Sequence, residues 1–208
     1  TLAGVDVLLR EGRYRSARIG LVTNPSAVTH LGESSWRALL DSGYSIKAFF
    51  GPEHGFRGDA EDAVEVGDSE FRGIPAYSLF GARLEPESWM LEGLDALVYD
   101  IQDVGCRYYT YLFTLSGVMA ACEKAGVKLI VLDRPDPIGG AKVEGSPMPD
   151  EHANFLGAWR LPQVTGLTIG EFARYLEGEF FPGVDLEVVR LELWKRAEMV
   201  IKVKEPIE

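Results

Sequence analysis

Four short runs of apolar residues recur along the chain, and they restrict its fold more than any other feature. They lie at residues 18–23 (RIGLVT), 46–50 (IKAFF), 96–101 (ALVYDI) and 127–133 (VKLIVLD). Each run is nearly continuous and does not alternate apolar with polar residues, which is typical of strands covered on both faces. The runs therefore predict a parallel sheet with helices packed on each side.

Helical segments alternate with these runs, and a glycine follows each of the first three. These three helices are predicted at residues 34–41, 86–92 and about 109–125. A last helix at 168–177 opens with the capping-box spacing of Thr168 and Glu171, and a fifth strand at 186–191 follows it. This alternation predicts an α/β fold with a Rossmann-like, doubly wound, mostly parallel sheet and helices on both faces. Residues 1–208 are expected to form a single domain.

Charge and cysteine content limit the function. The 208 residues include 21 Lys and Arg against 32 Asp and Glu, a net charge of −11. So acidic a chain is a poor binder of nucleic acid or anionic membranes. Cys106 and Cys122 are too few for a disulfide framework and lack metal-finger spacing, so we expect buried free thiols. No apolar stretch reaches the roughly 18 residues of a membrane span.

A polar segment rich in Gly or Pro follows each apolar run. In doubly wound sheets ligands bind beyond the carboxyl ends of the strands, so these segments should open onto one rim. The sequence therefore predicts a ligand site at this rim. The four segments are residues 23–26 (TNPS), 51–58 (GPEHGFRG), 102–107 (QDVGCR) and 134–137 (RPDP).

Glu53 and His54 are the most informative pair on the predicted rim. A carboxylate in a Pro/Gly turn beside a histidine can act as a general acid or base. The structural alternatives are that Glu53 ties down a neighbouring loop or caps a helix, and that His54 is a hydrogen-bonded structural residue. Aspartates at the next strand ends could join Glu53 around Mg²⁺ or Ca²⁺, but no zinc spacing is present and a metal-free site is favoured. These aspartates are Asp100, Asp103, Asp133 and Asp136.

Arginine and tyrosine residues on the rim indicate what the site could bind. Arg57, Arg107 and Arg134 would form a cationic patch that selects a carboxylate or phosphate, unless they pair with the acidic loops. Tyrosine rings beside polar groups suit sugar stacking, although at helical spacing they are more often core residues. The tyrosines concerned are Tyr108, Tyr109 and Tyr111.

Three common motifs are absent from the sequence. They are the dinucleotide fingerprint G-x-G-x-x-G, the phosphate loop G-x-x-x-x-G-K-[ST] and the nucleophile elbow G-x-S-x-G. Their absence argues against NAD, ATP and a serine-hydrolase triad, and we expect no cofactor. Glu171 is interpreted as a capping residue.

Six motifs, in order along the chain, carry a family resemblance. They are residues 20–25 (GLVTNP), 50–58 (FGPEHGFRG), 77–81 (YSLFG), 100–107 (DIQDVGCR, followed by YTY at 109–111), 131–135 (VLDRP) and 167–171 (LTIGE). The chain resembles the NamZ-type exo-β-N-acetylmuramidases, long known as a domain of unknown function, from about residue 4 to about residue 195.

The resemblance implies a bacterial glycoside hydrolase of peptidoglycan turnover that releases N-acetylmuramic acid from non-reducing ends, and we expect it to be metal-independent because the residues favour a metal-free site. Glu53 matches the family's suspected catalytic residue and would be the general acid/base, with His54 and Asp103 positioning water or substrate. Arg57 or Arg107 would hold the lactyl carboxylate. The second carboxylate is open among Asp100, Asp103 and Glu144. The expected substrate-binding residues are Asn24, Arg57, Asp100, Gln102, Arg107, Tyr109 and Arg134.

The family normally continues into a smaller C-terminal domain, which is expected to be absent from this chain. Two alternatives therefore stay open: a non-catalytic muropeptide-binding module, and a hydrolase that uses a metal bound by the strand-end aspartates. The sequence starts directly on domain material, so any export signal is expected to have been removed or never to have existed. The resemblance favours a periplasmic or extracellular protein, and acidity fits the cytoplasm equally.

Overall fold

A computed structural model describes residues 1–53, 55, 67–152, 154, 157 and 159–199. Within these residues the chain forms one sheet of seven strands, six of them parallel. The strands are β1 (Arg18–Thr23), β2 (Ser45–Gly51), β3 (Ser69–Phe71), β4 (Ile74–Ser78), β5 (Ala96–Asp100), β6 (Lys128–Leu132) and β7 (Leu186–Val189). The helices are α1 (Gly4–Glu11), α2 (Ser35–Asp41), α3 (Tyr111–Ala125) and α4 (Ile169–Glu179).

The strand order across the sheet is β3-β4-β2-β1-β5-β6-β7, with β3 antiparallel to β4 at one edge. The six parallel strands, numbered along the chain, follow the order 3-2-1-4-5-6 of the Rossmann fold. The order reverses between β1 and β5, whose last residues Thr23 and Asp100 are paired. This switch point is where doubly wound sheets bind ligands. The predicted fold class is confirmed.

Side chains of the central strands alternate between two apolar layers. In β5, Leu97 and Tyr99 pack in the layer of α3 and α4, whereas Ala96 and Val98 pack in the layer of α1 and α2. Both layers are almost completely shielded from water. Cover on both faces explains why the strand sequences are continuously apolar.

The five predicted strands lie where β1, β2, β5, β6 and β7 lie. The helix predicted at residues 86–92 is wrong, because only a single 3-10 turn forms at Ser88–Met90. Trp89, Met90 and Leu91 are consecutive, so they cannot all lie on one face of a helix, and Trp89 is half exposed. The sequence analysis missed α1 and the β3–β4 hairpin.

The ends of the last two helices follow local signals. Gly126 ends α3 in the left-handed conformation, at φ +65°, which glycine adopts without strain. At the start of α4, Glu171 N donates to Thr168 Oγ1 at 3.2 Å and Thr168 N donates to Glu171 Oε2 at 3.0 Å. The predicted capping box is therefore present. Both cysteines are free, with Cys122 buried and Cys106 only half-buried.

Substituting Gly4 with alanine is expected to destabilise the fold. A Cβ at this position would lie 2.5 Å from the main-chain N of Asp133 and 2.6 Å from the main-chain O of Val189, so α1 would have to move off the sheet. We expect the free energy of unfolding to fall by about 1–3 kcal/mol. Gly178→Ala, inside α4 with no atom within 4 Å, is the matched control. Its free energy of unfolding, measured with urea, should instead rise by about 0.4–1 kcal/mol.

Candidate functional site

Residues that follow the ends of three strands influence the hydroxyl of Tyr111, the first residue of α3. Asn24 follows β1, Glu53 follows β2 and Asp103 follows β5. Burial raises the pKa of Tyr111 to about 12; the charges of Tyr109, Glu53 and Asp103 add to this rise, and a hydrogen bond from the Asn24 side chain opposes it. The carboxyls of Glu53 and Asp103 thus both influence the phenol of Tyr111 electrostatically, and this phenol stays neutral.

Glu53 is half-buried and has one oriented oxygen. Its Oε2 accepts a hydrogen bond from Thr110 Oγ1 at 2.9 Å, and Thr110 is the N-cap residue of α3. Its Oε1 has no hydrogen bond to any described residue. A carboxyl that is held at one oxygen can exchange a proton with a bound molecule through the other. Thr110 was missed by the sequence analysis, although its place before an apolar helix is a cap signal.

Asp103 is buried and only 6% exposed. Its Oδ2 accepts a hydrogen bond from Gly105 N at 2.8 Å, while Oδ1 has no partner among the described residues. Burial raises the pKa of Asp103 to about 6, against the hydrogen bonds from the main-chain N–H groups of Gly105 and Val104. Asp103 therefore takes up a proton closer to neutrality than an ordinary aspartate.

Asp100 and Arg134 form a buried ion pair at the switch point. Arg134 Nε donates to Asp100 Oδ1 at 2.6 Å, and the two side chains are 4% and 0% exposed. Arg134 Nη1 also donates to the carbonyl oxygen of Val28 at 3.0 Å, which ties the ends of β5 and β6 to the loop after β1. The observed partners of both residues are protein groups, and their contact with substrate stays a prediction.

Gln102 and Arg107 also hold the loops of the rim together. Gln102 Nε2 donates to the carbonyl oxygen of Pro135 at 2.9 Å. Arg107 is buried, and its Nη1 donates to the carbonyl oxygens of Ser146 and Leu161 at 3.0 and 2.5 Å. Nη1 of Arg107 is thus engaged by the loop that follows β6, whereas its Nε is buried and has no hydrogen-bond partner among the described residues.

The three tyrosines before and at the start of α3 have different surroundings. Tyr111 is buried, whereas Tyr108 and Tyr109 are 53% and 41% exposed. The Tyr109 ring packs edge-on against Tyr111, with centroids 5.1 Å apart and an interplanar angle of 83°. An exposed aromatic ring therefore flanks Thr110, the partner of Glu53.

Other candidates lie apart from this group or outside the described residues. Asp133 Oδ1 accepts from Gly170 N at 2.8 Å, so it supports the start of α4. Glu144 is exposed, and its carboxylate lies 3.9 Å from Lys142 Nζ. His54 and Arg57 are outside the described residues.

A cavity of about 370 Å³ opens on the α1 side of the same switch point. Gln102 and Arg134 line it together with Asp6 and His30, whose Oδ1 and Nδ1 atoms are 2.8 Å apart. In the part of the chain that the structure describes, no three His, Cys, Asp or Glu side chains are grouped to hold a metal ion. No helix there is long and apolar enough to cross a membrane.

The fold and site define a doubly wound α/β domain with a half-buried glutamate and a buried aspartate around its switch point. The family model described as exo-beta-N-acetylmuramidase NamZ, N-terminal, matches residues 19–206, and the chain belongs to this family. The resemblance identified from the sequence is thereby confirmed.

One curated relative and two crystal structures are similar to the chain. The peptidoglycan beta-N-acetylmuramidase NamZ of Bacillus subtilis (strain 168) is 43% identical over 198 residues, which cover 93% of this chain and 48% of that protein. Two DUF1343 family proteins from Bacteroides fragilis match with TM-scores of 0.85 and 0.80, at 38% and 29% identity. Each match covers 95% of this chain and 52% or 54% of the other. The chain spans about half the length of these relatives.

Proposed function

We propose that this domain carries the catalytic glutamate of a metal-independent exo-β-N-acetylmuramidase, which releases N-acetylmuramic acid from non-reducing ends of peptidoglycan fragments. The observation that carries the proposal is Glu53, held by Thr110 at one oxygen and without a hydrogen bond from any described residue at the other, at the rim where this fold binds ligands. The curated name of the Bacillus subtilis relative supports the reaction class.

Cleavage of a glycosidic bond requires a carboxyl group that protonates the leaving oxygen. Glu53 would donate its proton to the oxygen between muramic acid and the next sugar, and the electrons of the broken C–O bond would pass to that oxygen. The hydrogen bond from Thr110 leaves Oε1 of Glu53 as the proton-carrying atom. Water, positioned by His54 as the sequence predicts, would then supply the hydroxyl at the anomeric carbon, and its other proton would return to Glu53, which acts as the general base in this step.

Asp103 is the proposed second carboxyl, from the three that the sequence left open. Asp100 is neutralised by Arg134, and Glu144 lies beside Lys142. The charge of Asp103, like that of Glu53, instead helps to raise the pKa of the Tyr111 phenol. Because it is buried, its negative charge would stabilise the positive charge that develops on the sugar ring through a medium of low dielectric constant. We assign it electrostatic stabilisation without direct contact with the sugar.

The proposed substrate contacts follow from exposure and free hydrogen-bonding capacity. Tyr109 offers an exposed ring on which a sugar could stack. With Arg107 Nη1 engaged by two carbonyl oxygens, Arg57 is the proposed partner of the lactyl carboxylate. An arginine suits this task because its guanidinium can bind a carboxylate through two hydrogen bonds.

The direct test is release of free N-acetylmuramic acid from a synthetic muramyl-N-acetylglucosamine disaccharide by the 208-residue chain. We expect product at the same rate with and without exhaustive chelation. Loss of product after chelation, with recovery on adding Mg²⁺, would instead favour the metal-dependent hydrolase. No product, together with thermal stabilisation by the disaccharide, would favour the muropeptide-binding module.

A further inference from the structure

Two buried carboxyls, Asp103 and Asp136, meet at Gly105. Asp103 Oδ2 accepts a hydrogen bond from Gly105 N at 2.8 Å. Asp136 Oδ1 lies 2.4 Å from the position that a Cβ on Gly105 would occupy, so it is packed against the same glycine, which has a φ of +77°. The side chains come from the loops after β5 and β6. They are neighbours only because these parallel strands are adjacent in the sheet.

Each of these carboxyls has one oxygen without a partner. Asp136 Oδ1 accepts from Ile138 N at 3.0 Å, as Asp103 Oδ2 does from Gly105 N. Asp103 Oδ1 and Asp136 Oδ2 are both shielded from solvent and have no hydrogen-bond partner among the described residues. Two full negative charges in such a place would be destabilising, because neither of these oxygens is exposed to solvent or accepts a hydrogen bond from a described residue.

The groups around the pair act in both directions on each carboxyl. For Asp103, the main-chain N–H groups of Gly105 and Val104 oppose the rise in pKa that burial causes. Asp103 faces the phenols of Tyr99 and Tyr111, which are neutral because their pKa values are raised. The pKa of Asp103 is raised first by burial and further by the charge of Asp136. Burial also raises the pKa of Asp136, Glu171 adds to the rise, and the hydrogen bond from Ile138 and the charge of Arg196 oppose it.

We propose that Asp103 and Asp136 titrate as one coupled pair that keeps a single proton in the folded protein, and that Asp136 thereby sets the charge of Asp103 beside Tyr111. Asp136 is a positioning residue in this scheme, since it acts through Asp103. Its effect on turnover rests on the proposed function, whereas the coupling itself does not.

The coupling can be measured without turnover, by following the ¹³Cγ resonances of aspartate in the 208-residue chain as the pH is changed. In the wild type, the Asp103 and Asp136 resonances should each titrate in two steps with the same two midpoints. Asp136→Asn removes the neighbouring charge and should lower the midpoint of Asp103 by about one pH unit. Asp103→Asn should lower the midpoint of Asp136 by the same amount, because coupling is reciprocal.

Asp133 is the internal control for these titrations. Burial raises its pKa to about 6 as well, but its hydrogen bonds come from Gly170, Thr168 and Arg134. Its midpoint should be unchanged in both variants. Single-step, independent titrations of Asp103 and Asp136 in the wild type would overturn the proposal, and this measurement needs no variant to fold. Unchanged midpoints in the two folded variants would overturn it as well.

The functional consequence is read from the pH profile of the muramidase reaction. Asp103 is assigned its role as a carboxylate, so activity should rise as the pH rises through its midpoint. Asp136→Asn should therefore move this acidic limb to lower pH by the shift seen in the resonance. A shifted resonance with no detectable turnover in either protein would count against the muramidase reaction and leave the pair intact. A shifted resonance with an unshifted acidic limb would show that Asp136 does not govern the reaction.

Discussion

Replacing Glu53 with glutamine is expected to lower kcat for release of N-acetylmuramic acid by about 10²–10⁴-fold, the usual contribution of a positioned general acid. Glutamine has nearly the same shape, and its amide oxygen can still accept the hydrogen bond from Thr110. It has no acidic proton to give to the leaving oxygen. KM and the thermal midpoint should therefore change little, and steady-state kinetics on the muramyl disaccharide would separate the two effects.

Glu70→Gln is the matched control for this substitution, because Glu70 is an exposed glutamate on the edge strand β3. It removes the same charge from the protein without touching the candidate site, and its kcat should stay close to that of the wild type. A Glu53→Gln protein that kept more than a tenth of the wild-type kcat would remove Glu53 from the role of general acid. The search for the acid would then move to the other carboxyls near Tyr111.

Replacing Arg134 with methionine is expected to give the largest loss of stability. The substitution keeps most of the apolar stem but leaves Asp100, which is 0% exposed, without its cation. Asp100 Oδ2 already lacks a hydrogen-bond partner among the described residues. Breaking a buried pair in this way typically lowers the free energy of unfolding by about 3–5 kcal/mol. Urea unfolding at several pH values would measure it.

The pH dependence of that loss has a definite sign. Without Arg134, the ionised form of Asp100 would be a buried negative charge with no cation beside it, which costs free energy in the folded state only. A carboxyl with a raised pKa destabilises the fold increasingly as the pH rises, because the folded state must keep a proton that the unfolded state releases. The deficit of the Arg134→Met protein should therefore be smaller at pH 5 than at pH 8.

Arg18→Met is the control for the loss of a buried pair. Arg18 and Asp95 form an ion pair of similar length, 2.7 Å, but their side chains are 54% and 45% exposed. Exposed pairs contribute about 0–1 kcal/mol, so this substitution should have little effect at either pH. Equal losses in the two variants would mean that the Asp100–Arg134 pair is not desolvated in solution.

The buried pair also matters for the geometry of the candidate site. It joins the ends of β5 and β6, the two strands whose following loops carry Asp103 and Asp136. Carboxyls can influence each other's protonation only while their separation is maintained, and supporting contacts of this kind provide that rigidity. A loss of the pair should therefore loosen the site as well as the fold.

Much of the fold could be predicted because its signals are local. A strand covered on both faces must be apolar at every position, so β1, β5 and β6 were recognised from their own residues. The capping box of α4 was recognised because Thr168 and Glu171 are three residues apart and bond each other. Helix α1 was not predicted although local signals are present: the side chain of Asp6 accepts a hydrogen bond from Ala3 N, and Gly12 ends the helix at φ +67°. Its N-cap residue, Ala3, has no side-chain acceptor.

Glu53 was identified from its motif and its place after a strand, and the tertiary structure added the partner that orients it, Thr110, from a loop 57 positions away. The structure also decided which polar groups point inward: Arg134 toward Asp100, and Arg107 toward carbonyl oxygens of the long loop. Pattern alone treated all the rim arginines as equivalent, because a charged side chain has the same local signal whether its partner is water, a ligand or a buried aspartate.

The sequence by itself therefore determined the parallel sheet, its switch-point rim and the glutamate on it. Each of these depends on residues close together in the chain and on the general geometry of β–α–β units. Only the tertiary structure decided that Asp103 and Asp136 meet at Gly105 and that Asp100 is neutralised. Those contacts join residues more than 30 positions apart, and they arise only when right-handed crossovers place β5 and β6 side by side.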